Sequence, residues 1–150
     1  GGLIMNNKIL NLDNIVLNLK SEDKEKVIER AGKLLADRGY VTPDYIKGMK
    51  AREEVVSTYL GNNVAIPHAI NEYKKNIKET GIVILQYPDG VDYGDGNIAY
   101  IVIGIAGSDD EHMEILSKIA IVISEEENVQ RLRNAASKQE IIKILEEGDF

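Results

Sequence analysis

Two stretches, Ile82 to Tyr87 and Ile98 to Ala106, are apolar almost without interruption, and that continuity constrains the fold more than any other feature of the chain. A strand with one face in water alternates apolar and polar residues, whereas a strand covered on both faces does not. Both faces of these strands therefore need a cover of helices. Shorter β-rich runs, Ser57 to Leu60 and Val64 to Ile66, precede them, and Pro88-Asp89-Gly90 marks a turn after the first long run.

Helical patterns flank this β-rich stretch on both sides. Ser21 reads as the N-cap of a first helix, with Glu22 and Asp23 complementing the dipole and Val27, Ile28, Ala31, Leu34 and Leu35 forming one apolar face. Arg38-Gly39 ends it, since glycine takes the left-handed cap. Thr42-Pro43 opens a second helix running to about Glu54, with Tyr45, Met49 and Arg52 on one side. After Ala106 the spacing predicts helices over about Asp109 to Ser124 and Glu126 to Ala135, and a last one from Ser137 with Glu140 completing a capping box. The expected class is α/β: a mixed β-sheet sandwiched between helical layers in a single domain, with strand order left open.

A length of 150 residues suits one domain with its own core. Gly1-Gly2-Leu3-Ile4 ahead of Met5 reads as a cloning remnant, leaving 5–150 as the domain. The chain has no cysteine, which removes disulfides, zinc–thiolate sites and thiol nucleophiles together. No apolar stretch approaches the ~20 residues of a membrane helix and no export signal is present, so a cytoplasmic protein with no membrane insertion is expected. The net charge of −7 comes without a basic cluster interleaved with aromatics, which disfavours nucleic acid as a partner. An acidic domain is steered instead towards basic surfaces, although the charge serves solubility equally well.

The segment from Glu53 to Ala69 carries the chemistry. Val64 to Ile66 reads as a short strand, Gly61-Asn62-Asn63 as the turn before it, and Pro67 fixes its own φ and extends Ile66, so His68 is aimed from a stiff backbone. A lone histidine would as readily be structural. The surrounding residues decide against that: Glu53, Leu60, Gly61, Val64, Ala65, Ile66, Pro67, His68 and Ala69 fill every specified position of a phosphorylation-site signature. The chain thereby resembles the mannitol/fructose family of phosphotransferase-system IIA proteins. The likeness extends over nearly all of it from Met5, and the Tyr87 to Gly90 turn resembles the mannitol branch in particular.

Two further residues join His68 as candidates. His112 falls just after an apolar strand, in the first turn of the following helix, where α/β sheets bind ligands and a helix offers free N–H groups to an anion. With Ile115, Leu116, Ile119 and Ile123 it shares the inward face, so a satisfied core histidine is the competing reading. Resemblance to the mannitol branch implies a second active-site histidine in the Glu111-His112 segment. Arg52 reads either as a solvated charge at a helix end or as a planar fork for phosphate oxygens, and the family resemblance implies the latter for Arg52-Glu53. The histidines have no metal-ligand spacing, the glycine-rich Asp92 to Asn97 stretch lacks the lysine and context of a nucleotide loop, and no cofactor or metal is implied.

The resemblance implies a phosphotransferase that works through a phosphohistidine. His68 would be the phosphorylated nucleophile, at Nε2, with Arg52 and His112 stabilising the transferred oxygens. The implied donor is the phosphohistidine of the carrier protein HPr, and the implied acceptor a cysteine on the IIB domain of a membrane sugar permease, in mannitol uptake. A freestanding protein is expected from the length, while a domain cut from a longer polypeptide would read the same. The alternative is a regulatory IIA-like module, of nitrogen or fructose type, whose phosphorylation state controls a protein partner; His112 beside His68 favours transfer.

Overall fold

The computed structural model describes residues 8–148; the four residues read as a cloning remnant lie outside them. Five strands form one mixed sheet: β1 (Ile15–Val16), β2 (Tyr59–Gly61), β3 (Val64–Ala65), β4 (Gly81–Asp92) and β5 (Ile98–Ala106), in the order β1-β4-β5-β3-β2. The β4–β5 and β2–β3 pairs are antiparallel, and β1–β4 and β3–β5 are parallel. Helices α1 (Lys24–Asp37) and α2 (Tyr45–Val55) cover one face, and α3 (Asp109–Ile123), α4 (Glu126–Asn134) and α5 (Lys138–Glu147) the other.

The two unbroken apolar strands behave as their composition requires. Ile82 and Ile84 of β4, with Ile101, Ile103 and Ile105 of β5, pack into the core under α3, α4 and α5. Val83 and Leu85, with Val102 and Ala106, pack into the core under α1 and α2. Because successive side chains point to opposite faces, two cores demand hydrophobes at consecutive positions. Gly104 leaves no room for a side chain between β4 and α1: a Cβ there would stand 2.9 Å from Val83 Cγ2 and 3.2 Å from Ala31 Cβ.

Several element ends differ from expectation. Asp23, not Ser21, caps α1 by accepting from the Lys26 N–H, while the Glu22 carboxylate is drawn away to Arg30 and the Tyr87 hydroxyl. Thr42-Pro43 forms a tight turn ahead of α2 instead of its first turn; the Thr42 carbonyl accepts from Tyr45 N, and its hydroxyl accepts from Asn76. Pro88-Asp89-Gly90 does not end β4. It is a bulge inside the strand, where the pairing register with β5 shifts between Gln86 and Val91 and Gly90 takes a φ of 85°. The hairpin turn comes later, at Tyr93 to Asn97, with Asp95 and both flanking glycines at positive φ. At α5, Ser137 accepts from Glu140 N as a capping box requires, but Glu140 reaches back to Ala136 N.

Candidate functional site

β3 and β5 run parallel, so their carboxyl ends lie side by side, and the segments leaving them carry His68 and His112. The Ile105 N–H donates to the Pro67 carbonyl at 3.0 Å, carrying the parallel pairing one step past β3. On the other side, the Ile66 N–H donates to the Thr58 carbonyl at 2.9 Å. The backbone that delivers His68 is thus tied on both flanks. Gly61, Asn62 and Asn63 all adopt positive φ, as the turn chemistry predicts.

The His68 ring is held in one orientation. Its Nδ1 lies 2.7 Å from the Ile66 carbonyl oxygen. A carbonyl only accepts, so Nδ1 carries the proton and Nε2 keeps its lone pair. Burial pulls the imidazole below its ordinary pKa; the Ile66 carbonyl and Glu53 oppose this, and Arg52 reinforces it. His112 stands with its ring centroid 4.9 Å from that of His68, the planes inclined by 59°. Burial, then His68, Lys74 and Arg52, push His112 down to about 4. Both imidazoles are therefore neutral at physiological pH.

These side chains line a cleft of about 490 Å³ with Arg52, Tyr45, Lys74 and Asp109. All three residues anticipated from sequence meet there. Arg52 arrives from the last turn of α2 and anchors one guanidinium nitrogen on the Val56 carbonyl. His112 arrives from the first turn of α3, whose start comes close because Gly107 has no side chain: a Cβ there would lie 3.2 Å from His112 N. Ile115, Ile119 and Ile123 on the same face are buried, as the spacing predicts.

Lys74, Asp109 and Tyr45 were not anticipated as site residues. Lys74 adds a second cation, paired with Asp109 across the rim of the cleft. It sits in a 3-10 segment, Asn71–Asn76, and no periodicity distinguishes it from Lys75 beside it. Tyr45, seen in the sequence only as one side of a helix, is buried and uses its hydroxyl twice: it donates to the Ile105 carbonyl at 2.7 Å and accepts from Ala69 N at 3.2 Å. Desolvation pushes that phenol up to about 12, so it remains a neutral donor. Among the described residues no group of three or more His, Asp or Glu side chains is gathered to hold a metal ion, and no helix is long and apolar enough to cross a membrane.

Such a cleft, with an unprotonated ring nitrogen, a second imidazole and two cations, is suited to receive a phosphoryl group. The family model for the phosphoenolpyruvate-dependent sugar phosphotransferase system, EIIA 2, matches residues 8–148. The chain is 52% identical over 143 residues to the mannitol-specific phosphotransferase enzyme IIA component of Geobacillus stearothermophilus, covering 95% of this chain and 99% of that protein. It superposes with a TM-score of 0.85 on the crystal structure of IIA mannitol from Escherichia coli, at 38% identity over 91% of this chain and 98% of that one. It also matches a solution structure of the complex of enzyme IIAMTL and phosphorylated enzyme IIBMTL from Escherichia coli, with a TM-score of 0.87, 36% identity and coverage of 92% and 97%.

Proposed function

The chain belongs to the phosphoenolpyruvate-dependent sugar phosphotransferase system EIIA 2 family, and from that membership we propose that it is a mannitol-type phosphocarrier: His68 takes a phosphoryl group from phospho-HPr and hands it to a IIB component. The observation that carries this reading is the hydrogen bond from His68 Nδ1 to the Ile66 carbonyl, which leaves Nε2 as the free nucleophile in the cleft. The names of the relatives support mannitol as the sugar and IIB as the acceptor's partner class.

Transfer through such a site is mainly positioning and charge neutralisation. The Nε2 lone pair attacks phosphorus in line with the P–N bond of phospho-HPr. That bond breaks, and its electron pair stays on the HPr imidazole. As the His68 ring gains positive character, its Nδ1–H bond to Ile66 strengthens, an interaction larger after attack than before. Arg52 and Lys74 donate charge-assisted bonds to the equatorial oxygens, Lys74 exchanging Asp109 for phosphate. His112, neutral in the free protein, donates from its ring N–H. The second transfer reverses the first: a IIB cysteine thiolate attacks phosphorus, and His68 leaves with the electron pair on Nε2 and its Nδ1 proton undisturbed.

The test is reconstitution with enzyme I, HPr, phosphoenolpyruvate and a mannitol IIB domain. Phosphate passes to IIB through the wild-type chain and not through His68→Ala. Transfer that persists in His68→Ala overturns the reading. A labelled chain that never passes phosphate to IIB replaces it with the regulatory alternative.

A further inference from the structure

The signature glutamate has no place in the transfer chemistry above, yet it is the most enclosed carboxylate near the site. The Glu53 side chain is 7% exposed. It accepts from the Thr58 N–H at 3.1 Å and from the Thr58 hydroxyl at 2.5 Å, and pairs with Lys24 at 2.8 Å. Burial raises such a carboxyl's pKa, but Lys24 and Thr58 outweigh it and the group stays ionised. Enclosing a charge this thoroughly is costly unless its partners are fixed.

Those partners lead to the nucleophile. Thr58 is itself 4% exposed, and its carbonyl accepts from Ile66 N. The Ile66 carbonyl, at the other end of the same residue, accepts from His68 Nδ1. An unbroken route of hydrogen bonds therefore runs from Glu53 through Thr58 and Ile66 to the ring nitrogen that sets the tautomer. Arg52, the preceding residue, anchors on Val56 two positions before Thr58. The two neighbouring side chains hold opposite ends of the 56–58 segment.

We propose that Glu53 and Thr58 form a clamp that positions the Ile66 carbonyl and thereby keeps Nε2 of His68 unprotonated and aimed into the cleft. They are positioning residues, acting through the backbone and never touching phosphate. The proposal rests on His68 as the phosphoryl acceptor. Without the clamp, the 58–66 pairing loosens, the Ile66 carbonyl drifts, and the proton redistributes between the two ring nitrogens.

The experiment uses Glu53→Gln, Thr58→Val and the conservative Thr58→Ser, each with labelled histidine ring nitrogens. Ring-nitrogen NMR reads the His68 tautomer in the unphosphorylated protein, and phospho-HPr supplies the rate of His68 labelling. Wild type and Thr58→Ser are expected to show Nδ1 protonated. Thr58→Val and Glu53→Gln are expected to show a mixture, with labelling slowed roughly tenfold or more, as misplacement of a reacting group produces. Should Glu53→Gln fail to fold, the Thr58→Val and Thr58→Ser pair, which differ in size and hydroxyl alone, decides. An unchanged tautomer in folded Thr58→Val, whatever its rate, overturns the proposal. The tautomer readout needs no phosphate, so it stands apart from the phosphocarrier reading, which fails only if the wild-type chain takes no label at His68.

Discussion

His112 makes the stability of this protein depend on pH in a predictable direction. Its ring goes from an ordinary 6.5 in the unfolded chain to about 4 in the fold, because burial and the neighbouring His68, Lys74 and Arg52 disfavour its charged form. Between those values the unfolded chain binds the proton and the folded chain does not, so stability rises with pH across the window. The contribution is complete above 6.5, declines as pH falls through the window and is gone below about 4. A shift of this size corresponds to about 3 kcal/mol at roughly 1.4 kcal/mol per pH unit, and solvent screening at a half-buried ring reduces it to about 1–2 kcal/mol. Urea unfolding of wild type and His112→Gln, each measured above and below the window, reads the effect of His112 together with its coupling to His68, because the carboxylates that also titrate there cancel in the comparison. The wild-type chain is expected to lose about 1–2 kcal/mol more than the variant on acidification. Equal losses, or a larger loss in His112→Gln, would refute the claim that His112 is neutral in the fold.

Phosphorylation reverses the local field, so a dianion on His68 is expected to raise the His112 pKa; an NMR titration in which the ring resonances do not shift after labelling would contradict this. Lys74→Met and Arg52→Gln should each slow His68 labelling about tenfold or more while leaving the site phosphorylatable, and unchanged rates in both would make them bystanders. Tyr45→Phe leaves the Ile105 carbonyl and Ala69 N–H without their shared partner, a loss of about 1–3 kcal/mol on chemical denaturation; no change would show that the hydroxyl does not hold the two segments. Gly48→Ala should be destabilising by about 1–3 kcal/mol, since its Cβ would stand 2.4 Å from Tyr73 Cγ, and an undiminished denaturation midpoint would mean the 3-10 segment yields freely.

How much of this was legible in the sequence depended on how local the determining interaction is. The two-sided cover of β4 and β5 followed from consecutive hydrophobes, since a strand's side-chain alternation is fixed by the chain itself. The glycine and asparagine turn before β3 was equally local, and all three residues adopt the positive φ their types favour. In sequence, Pro88 to Gly90 reads as a strand end, because turn residues look alike whether they end a strand or kink it; continued pairing of Val91 with Ala99 makes it a bulge, and that is a tertiary fact. β1 carries no sequence signal of its own, because its two residues, Ile15 and Val16, gain strand character only from β4 beside them.

The same division holds at the site. His68, Arg52 and His112 stood out through motif resemblance, and the fold brings them to one cleft. Lys74 did not, because it reaches Asp109 and His112 from an irregular segment that no sequence pattern ties to the start of α3. Nor did the tautomer of His68, which depends on where the Ile66 carbonyl points.

The most direct test of the account is to locate the phosphate by atom: label the chain with enzyme I, HPr and phosphoenolpyruvate, hold it at alkaline pH because phosphohistidine is acid-labile, and combine peptide mapping with phosphorus and ring-nitrogen NMR. One phosphate is expected, on Nε2 of His68, with Nδ1 still protonated. Phosphate on Nδ1, on His112, or on neither histidine while HPr in the same tube is labelled, would contradict it.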